Sequence, residues 1–266
     1  MMCEAIQKGE FMTKPILEKL IYIFILIFSC SLNAEYFESE KTSIFYTDSR
    51  GTGEPIVLVH GHTMSSSMWY ESGIAKKLSE KYRVITLDLR GHGKSDKPKS
   101  PTEYGPKVGK DIINLLDHLE IRKAHMVGYS MGAFVVGRLL VSHPNRIKTA
   151  TLGSGFFPTS DADELSFQEN IAKELEQHGE LALAAVARGW RFDAVTDSQI
   201  SRIKVPMQAV FGSGEINKFF DSQKDRLRMP ESSLPIVIIE GADHDSSKAA
   251  VLHPKFLETV ENLIRK

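Results

Sequence analysis

Gly128, Tyr129, Ser130, Met131 and Gly132 spell G-x-S-x-G where an apolar run, Ala124 to Gly128, meets a stretch of helical character, Ala133 to Val141. A serine on so sharp a strand-to-helix turn has a strained backbone that lifts Oγ clear of the sheet, and a larger side chain at either glycine would collide with strand or helix. Such a turn presents a nucleophile. A serine hydroxyl attacks poorly at neutral pH, so it needs a base within hydrogen-bond reach and an acid to orient that base. His244, in Gly241-Ala242-Asp243-His244, and Glu215, in Gly212-Ser213-Gly214-Glu215, each follow a downstream apolar run and can supply the two. Small residues also flank serines in ordinary turns, so the pentapeptide gains its weight from the residues spaced around it.

These side chains need a scaffold. Apolar runs at Ile44 to Thr47, Ile56 to His60, Val84 to Asp88, Ala124 to Gly128, Ile147 to Leu152, Pro206 to Phe211 and Pro235 to Glu240 read as strands. Most are too uniformly apolar to be half-exposed, which suits a parallel sheet covered on both faces. Helical patterns at Ile74 to Tyr82, Val108 to Leu119, Ala133 to Ser142 and Phe256 to Ile264 alternate with them, and the stripe Ile112, Leu115, Leu116, Leu119 marks a core face. The order predicts an α/β fold with a mostly parallel, doubly wound sheet. The turn cluster Ser49 to Gly53 predicts a hairpin between the first two runs, and its Gly51-x-Gly53 precedes a strand, which argues against phosphate binding.

Residues 157–204 break the rhythm, with helical periodicity and no strand signal. They predict a short helical cap inserted over the C-terminal edge of the sheet, where ligands bind in open α/β folds. Phe156, Phe157, Trp190 and Phe192 would then wall an apolar pocket or pack the insertion onto the domain.

From about Ile44 to Ile264 the chain resembles the alpha/beta-hydrolase family, in its serine-nucleophile, esterase- and lipase-like branch. The motifs are His60-Gly61 after the first long strand, Asp88-Leu89-Arg90-Gly91-His92-Gly93 with Ser95, the Gly128-to-Gly132 elbow and the Gly241-to-His244 loop. The resemblance implies a triad of Ser130, Glu215 and His244 in the order nucleophile, acid, base. It also implies an oxyanion hole from the backbone N–H groups of His62 and Met131, and a bracing role for Asp88 and Arg90. Glu215 stands where the family usually has aspartate, and its extra methylene demands a shifted backbone; Asp221 is a rival acid, and Asp243 is less suited. His62 stands where a small or apolar residue is commoner.

His60-x-His62 invites a metal reading, but Thr63, Met64 and Ser65 add no ligand, so neither metal nor cofactor is expected. His92, His125, His143 and His253 lack an acid-and-nucleophile context and are expected to pack or face solvent. A serine elbow argues against the dehalogenase and epoxide hydrolase branches, which use aspartate there. The implied activity is hydrolysis of a carboxylic ester of a small or medium molecule through an acyl-enzyme. Carbon–carbon bond hydrolysis, perhydrolysis and acyl transfer are alternatives on the same fold, and a ligand-binding protein with impaired turnover is an alternative of another class.

With 266 residues, 42% hydrophobic and 25% charged, the chain suits one sizeable globular core. Lys and Arg total 33 against 34 for Asp and Glu, without a basic run, which argues against a nucleic-acid partner. Lys14 and Lys19 precede an apolar run, Leu20 to Phe28, that gives way to small and polar residues ending at Ala34, with Met12 an alternative start. The pattern predicts a signal peptide or membrane leader over 1–34 and an exported hydrolase domain over 35–266, periplasmic, secreted or anchored. The run falls short of the about 20 residues of a membrane span. Ile27-Phe28-Ser29-Cys30 resembles a lipobox, so a tether through the N-terminus or Cys30 is the alternative to a free domain. Cys3 and Cys30 both lie in the leader, so no internal disulfide is expected and the domain depends on its core.

Overall fold

In the computed structural model, which describes residues 33–158, 162–191, 194–216, 234–244 and 247–266, the apolar runs become strands of one sheet. The strands are β1 (Asn33–Ser39), β2 (Thr42–Asp48), β3 (Pro55–Val59), β4 (Arg83–Leu87), β5 (Ala124–Tyr129), β6 (Ile147–Gly153), β7 (Met207–Gly212) and β8 (Ile236–Ile239). Their spatial order is β1-β2-β4-β3-β5-β6-β7-β8. From β4 to β8 every neighbouring pair is parallel, while β2 runs antiparallel to β4. The helices are α1 (Ser67–Glu71), α2 (Ile74–Leu78), α3 (Pro106–His118), α4 (Met131–Ser142), α5 (Ala162–Gln177), α6 (Leu181–Gly189), α7 (Asp197–Ile200), α8 (Ser213–Ile216) and α9 (Pro254–Ile264).

The hairpin predicted across Ser49 to Gly53 does not form, because β4 lies between β2 and β3. Gly53 instead passes so close to the edge of the sheet that a Cβ there would lie 2.0 Å from the Lys81 carbonyl oxygen. The tight turn is one step earlier, at Glu40 and Lys41 between β1 and β2, where φ is 48° and 66°. Positive φ at both central residues is what a two-residue hairpin turn of type I′ requires. The expected leader lies outside the described residues except for Asn33 and Ala34, which begin β1. Cys3, Cys30, Phe192 and Asp221 also lie outside them. Among the described residues no helix is long and apolar enough to cross a membrane.

Side chains alternate across a strand, and this sorts the core into two layers. Val57, Val59, Ile85, Leu87 and Met126 join Ile112, Leu116, Val135 and Leu139 of α3 and α4. Ile56, Leu58, Val84, Val127 and Tyr129 join Trp69, Ile74, Leu78, Phe256 and Val260 of α1, α2 and α9. Both faces are therefore covered, as the uniformly apolar strands required.

The loop after β4 is held by charge. Asp88 accepts the backbone N–H of Ser66 at 2.7 Å and that of Lys94 at 2.7 Å. Arg90, fully buried, makes a two-pronged pair with Asp111 of α3 at 2.6 and 2.6 Å and donates to the Glu103 carbonyl at 2.8 Å. Asp111 also accepts from the Ser39 hydroxyl at 2.5 Å. The bracing implied for Asp88 and Arg90 is thus built from hydrogen bonds to three separate segments.

The insertion is helical. Ala172 of α5 packs with Ala184 and Ala187 of α6, and Arg188 pairs with Glu169 at 3.1 Å and with Glu176. Ala185, Val186 and Trp190 enter the main core. At Gly189 a Cβ would lie 2.3 Å from the Pro101 carbonyl oxygen, so α6 is docked on the body of the domain at backbone contact.

Candidate active site

Strand β5 carries Ser130 to the C-terminal edge of the sheet, beside the end of β3, where Val59 pairs with Gly128. The strand order reverses direction here, since β3 has β4 on one side and β5 on the other, and ligands bind at such switch points. Ser130 has φ 52° and ψ −118°, the strained turn that the motif predicts. Its N–H donates to the Gly153 carbonyl at 2.8 Å. A Cβ on Gly128 would lie 2.3 Å from the Gly132 carbonyl oxygen, and one on Gly132 would lie 2.2 Å from that of Val59. Any other residue would push the elbow off the sheet.

His244 and Glu215 meet the serine. Ser130 Oγ lies 3.0 Å from His244 Nε2, and His244 Nδ1 lies 3.5 Å from Glu215 Oε2. The second separation is long for a hydrogen bond, as such contacts often are before substrate arrives. For Oγ–H to donate to Nε2, the imidazole proton must sit on Nδ1, facing the carboxylate. Glu215 is fully buried, and its other oxygen, Oε1, accepts from the Ser154 hydroxyl at 2.7 Å and the Gly212 N–H at 3.0 Å. Glu215 is carried by the one-turn helix α8, which follows β7 immediately.

The His244 loop is tied to its surroundings by its backbone. Gly241 N–H donates to Ser213 Oγ at 2.9 Å and Gly214 N–H to the Ala242 carbonyl at 3.0 Å, which joins this loop to α8. Asp243 Oδ1 accepts the His244 backbone N–H at 2.9 Å. That bond shapes the loop.

Met131 opens α4, where a backbone N–H has no partner within the helix. Gly61 passes the nucleophile closely, since a Cβ on it would lie 3.2 Å from Ser130 Cβ. His62 follows, half-buried, with its ring edge-on to His92 at 5.6 Å. Burial lowers the His62 pKa, against an upward pull from the Leu183 carbonyl on α6. His60 is fully buried, and burial brings its pKa down to about 4. Leu89 N–H donates to His60 Nε2 at 3.0 Å, and Nδ1 lies 2.7 Å from the Gly61 carbonyl. Both nitrogens are engaged, so His60 is not free to take a metal ion. Among the described residues no group of three or more His, Cys, Asp or Glu is placed to hold one.

Phe156 and Phe157 are buried, edge-to-face at 5.0 Å, and with Trp190 belong to the same core layer as Met131. Two residues at the site had no assigned role in the sequence, the Ser154 hydroxyl and the Tyr129 hydroxyl. The signal for Ser154 was its position between Gly153 and Gly155 at a strand end, and Tyr129 lay inside the motif itself.

A family model for the alpha/beta hydrolase fold matches residues 54–239. The chain belongs to that family. This alpha/beta hydrolase is 35% identical over 122 residues to a non-heme chloroperoxidase of Streptomyces lividans, a match covering 45% of this chain and 44% of the relative. It is 36% identical over 116 residues to epoxide hydrolase 3 of Siraitia grosvenorii, covering 42% of this chain and 36% of the relative. The matched stretches span less than half the length of these curated relatives. The crystal structure of E-2-(acetamidomethylene)succinate hydrolase superposes with a TM-score of 0.70 over 89% of this chain and 100% of that one, at 22% identity, which shows a shared fold.

Proposed function

We propose that this alpha/beta hydrolase cleaves a carboxylic ester, or a related acyl bond, of a small or medium substrate through an acyl-enzyme on Ser130. The observation that carries the reading is the 3.0 Å approach of Ser130 Oγ to His244 Nε2, with the Glu215 carboxylate on the far side of the imidazole. Ser130 Oγ bonds to the ester carbonyl carbon as its proton passes to Nε2. The N–H groups of Met131 and His62 stabilise the resulting oxyanion. The intermediate collapses, the carbon–oxygen bond to the alcohol breaks, and the alcohol leaves with the proton from His244. Water then gives a proton to His244 and attacks the acyl-enzyme, which releases the acid and restores the serine hydroxyl. Glu215 holds the Nδ1 proton and stabilises the imidazolium formed in each half. The buried Phe156, Phe157 and Trp190 back the apolar side of the pocket in this reading.

The likeness to a non-heme chloroperoxidase favours one second reading. The same acyl-enzyme would be discharged by hydrogen peroxide, giving a peroxy acid. The epoxide hydrolase likeness carries less, because Ser130 has no carboxylate with which to open an epoxide as an alkyl ester. The leader pattern over 1–34 makes export part of the proposal, checked by fractionating expressing cells with and without Cys30→Ser.

Hydrolysis of p-nitrophenyl esters of increasing acyl length, with Ser130→Ala as control, tests the reading. Loss of turnover by roughly 10⁴-fold or more in the variant is the expected result; retained turnover overturns it. Adding hydrogen peroxide and following peroxy acid separates the two acceptors.

A further inference from the structure

We infer that Tyr129 is a positioning residue that sets the distance between the nucleophile and the base; the inference rests on the serine-hydrolase reading. Tyr129 is the last residue of β5 and the immediate neighbour of Ser130. Its side chain enters the core layer formed with α9 and is fully buried. From there its hydroxyl donates to the backbone carbonyl of His244 at 2.7 Å. Its ring stacks on the His244 imidazole at 5.9 Å and 29°, and meets Phe256 of α9 edge-on at 6.3 Å. One side chain thus touches both the main chain and the ring of the base, while its own backbone carries the nucleophile.

The chemistry of the side chain supports a specific role for the hydroxyl. Phenylalanine would fill the same ring volume, and a buried tyrosine hydroxyl is stable only when it finds a partner. The partner here is a carbonyl on a loop, whereas Tyr129 itself sits on a central strand hydrogen-bonded to β3 on one side and β6 on the other. The bond ties the His244 residue itself to the strand, beyond the contacts that join its loop to α8. Displacement of a reacting group by ~1 Å costs on the order of 10²-fold in rate, so a clamp between elbow and base acts on the proton transfer and leaves substrate affinity alone.

Tyr129→Phe keeps the ring and removes the clamp. Two measurements read it, the rate of covalent inactivation by a fluorophosphonate per folded molecule, and the NMR titration of the His244 imidazole, assigned with His244→Gln. The inactivation rate and kcat are expected to fall roughly tenfold with KM unchanged, and the His244 titration is expected to shift. Phe256→Leu, which loosens packing beneath the ring but keeps the hydroxyl, should slow inactivation by less than Tyr129→Phe does, because the bond to the His244 carbonyl survives. Inactivation by the fluorophosphonate at the wild-type rate in Tyr129→Phe overturns the inference. If the wild-type protein reacts with neither ester nor fluorophosphonate, the hydrolase reading fails, and the titration alone decides: an unchanged His244 curve in Tyr129→Phe overturns the clamp, and a shifted one sustains it.

Discussion

The hydroxyl of Ser154 donates to Glu215 Oε1 at 2.7 Å, and the opposite oxygen of that carboxylate faces His244. A glutamate has one more rotatable bond than an aspartate, so it needs something to choose its orientation. Ser154, at the end of β6, and the Gly212 N–H make that choice. Hydrogen bonds to charged groups are worth about 1.5–3 kcal/mol, so Ser154→Ala is expected to lower kcat/KM by roughly tenfold or more, measured on the best ester. Ser154 has φ 49°, a conformation that glycine adopts freely. Ser154→Gly should therefore lose activity as Ser154→Ala does but be less destabilised than Ser154→Ala in thermal melting, which separates the lost hydrogen bond from backbone strain.

Arg90 and Asp111 form a buried ion pair with no solvent exposure on either side chain. Removing one partner strands a charge, at a cost of about 3–5 kcal/mol. Arg90→Met should lower unfolding stability, read by urea denaturation, more than the double variant Arg90→Met with Asp111→Leu, which leaves no lone charge. A double variant less stable than Arg90→Met would contradict this account of the loop.

Acid should destabilise the fold through the histidines near the site. Burial lowers the pKa of His60 to about 4, that of His92 well below its ordinary value, and that of His62 in the same direction. The unfolded chain, with ordinary values near ~6.5, binds protons that the folded chain refuses. Stability rises with pH wherever the unfolded state binds more protons. The contribution is therefore fully present above about pH 6.5 and is lost as pH falls toward about 4. Melting temperature measured across that range should fall steadily, with a shallower slope in His92→Asn; identical slopes would remove His92 from the account.

His62 sits beside His92 and near the insertion. Its ring meets that of His92 edge-on at 5.6 Å, and the backbone of Leu183 on α6 pulls its pKa upward against burial. The oxyanion donor assigned to it is a backbone group, which His62→Ala retains. Loss of an oxyanion donor costs about 10²–10³-fold, whereas His62→Ala should lower kcat/KM by less than about tenfold, in steady-state kinetics. A loss on the larger scale would make the imidazole itself part of the reaction.

Local chemistry made much of this protein legible before any coordinates. The elbow is a steric statement, since Gly128 and Gly132 are the residues that the turn admits, and the uniformly apolar runs marked the strands of a sheet covered on both faces. The Asp88-to-Gly93 motif and the spacing of Glu215 and His244 behind their strands placed the candidate triad at one edge. The predicted hairpin was wrong because turn residues report a bend but not which strand lies beside it, and β4 pairs between β2 and β3 from farther along the chain. Ser154 and Tyr129 gained their partners at 61 and 115 residues' separation, beyond the reach of periodicity and motif spacing. Sequence by itself determined which residues could react and which segments would be strand or helix, because turn sterics and the runs and spacing of apolar residues act between near neighbours. Only the tertiary structure decided the order of the strands and which groups hold Ser130, His244 and Glu215 in place, because those contacts exist only once distant segments have packed together.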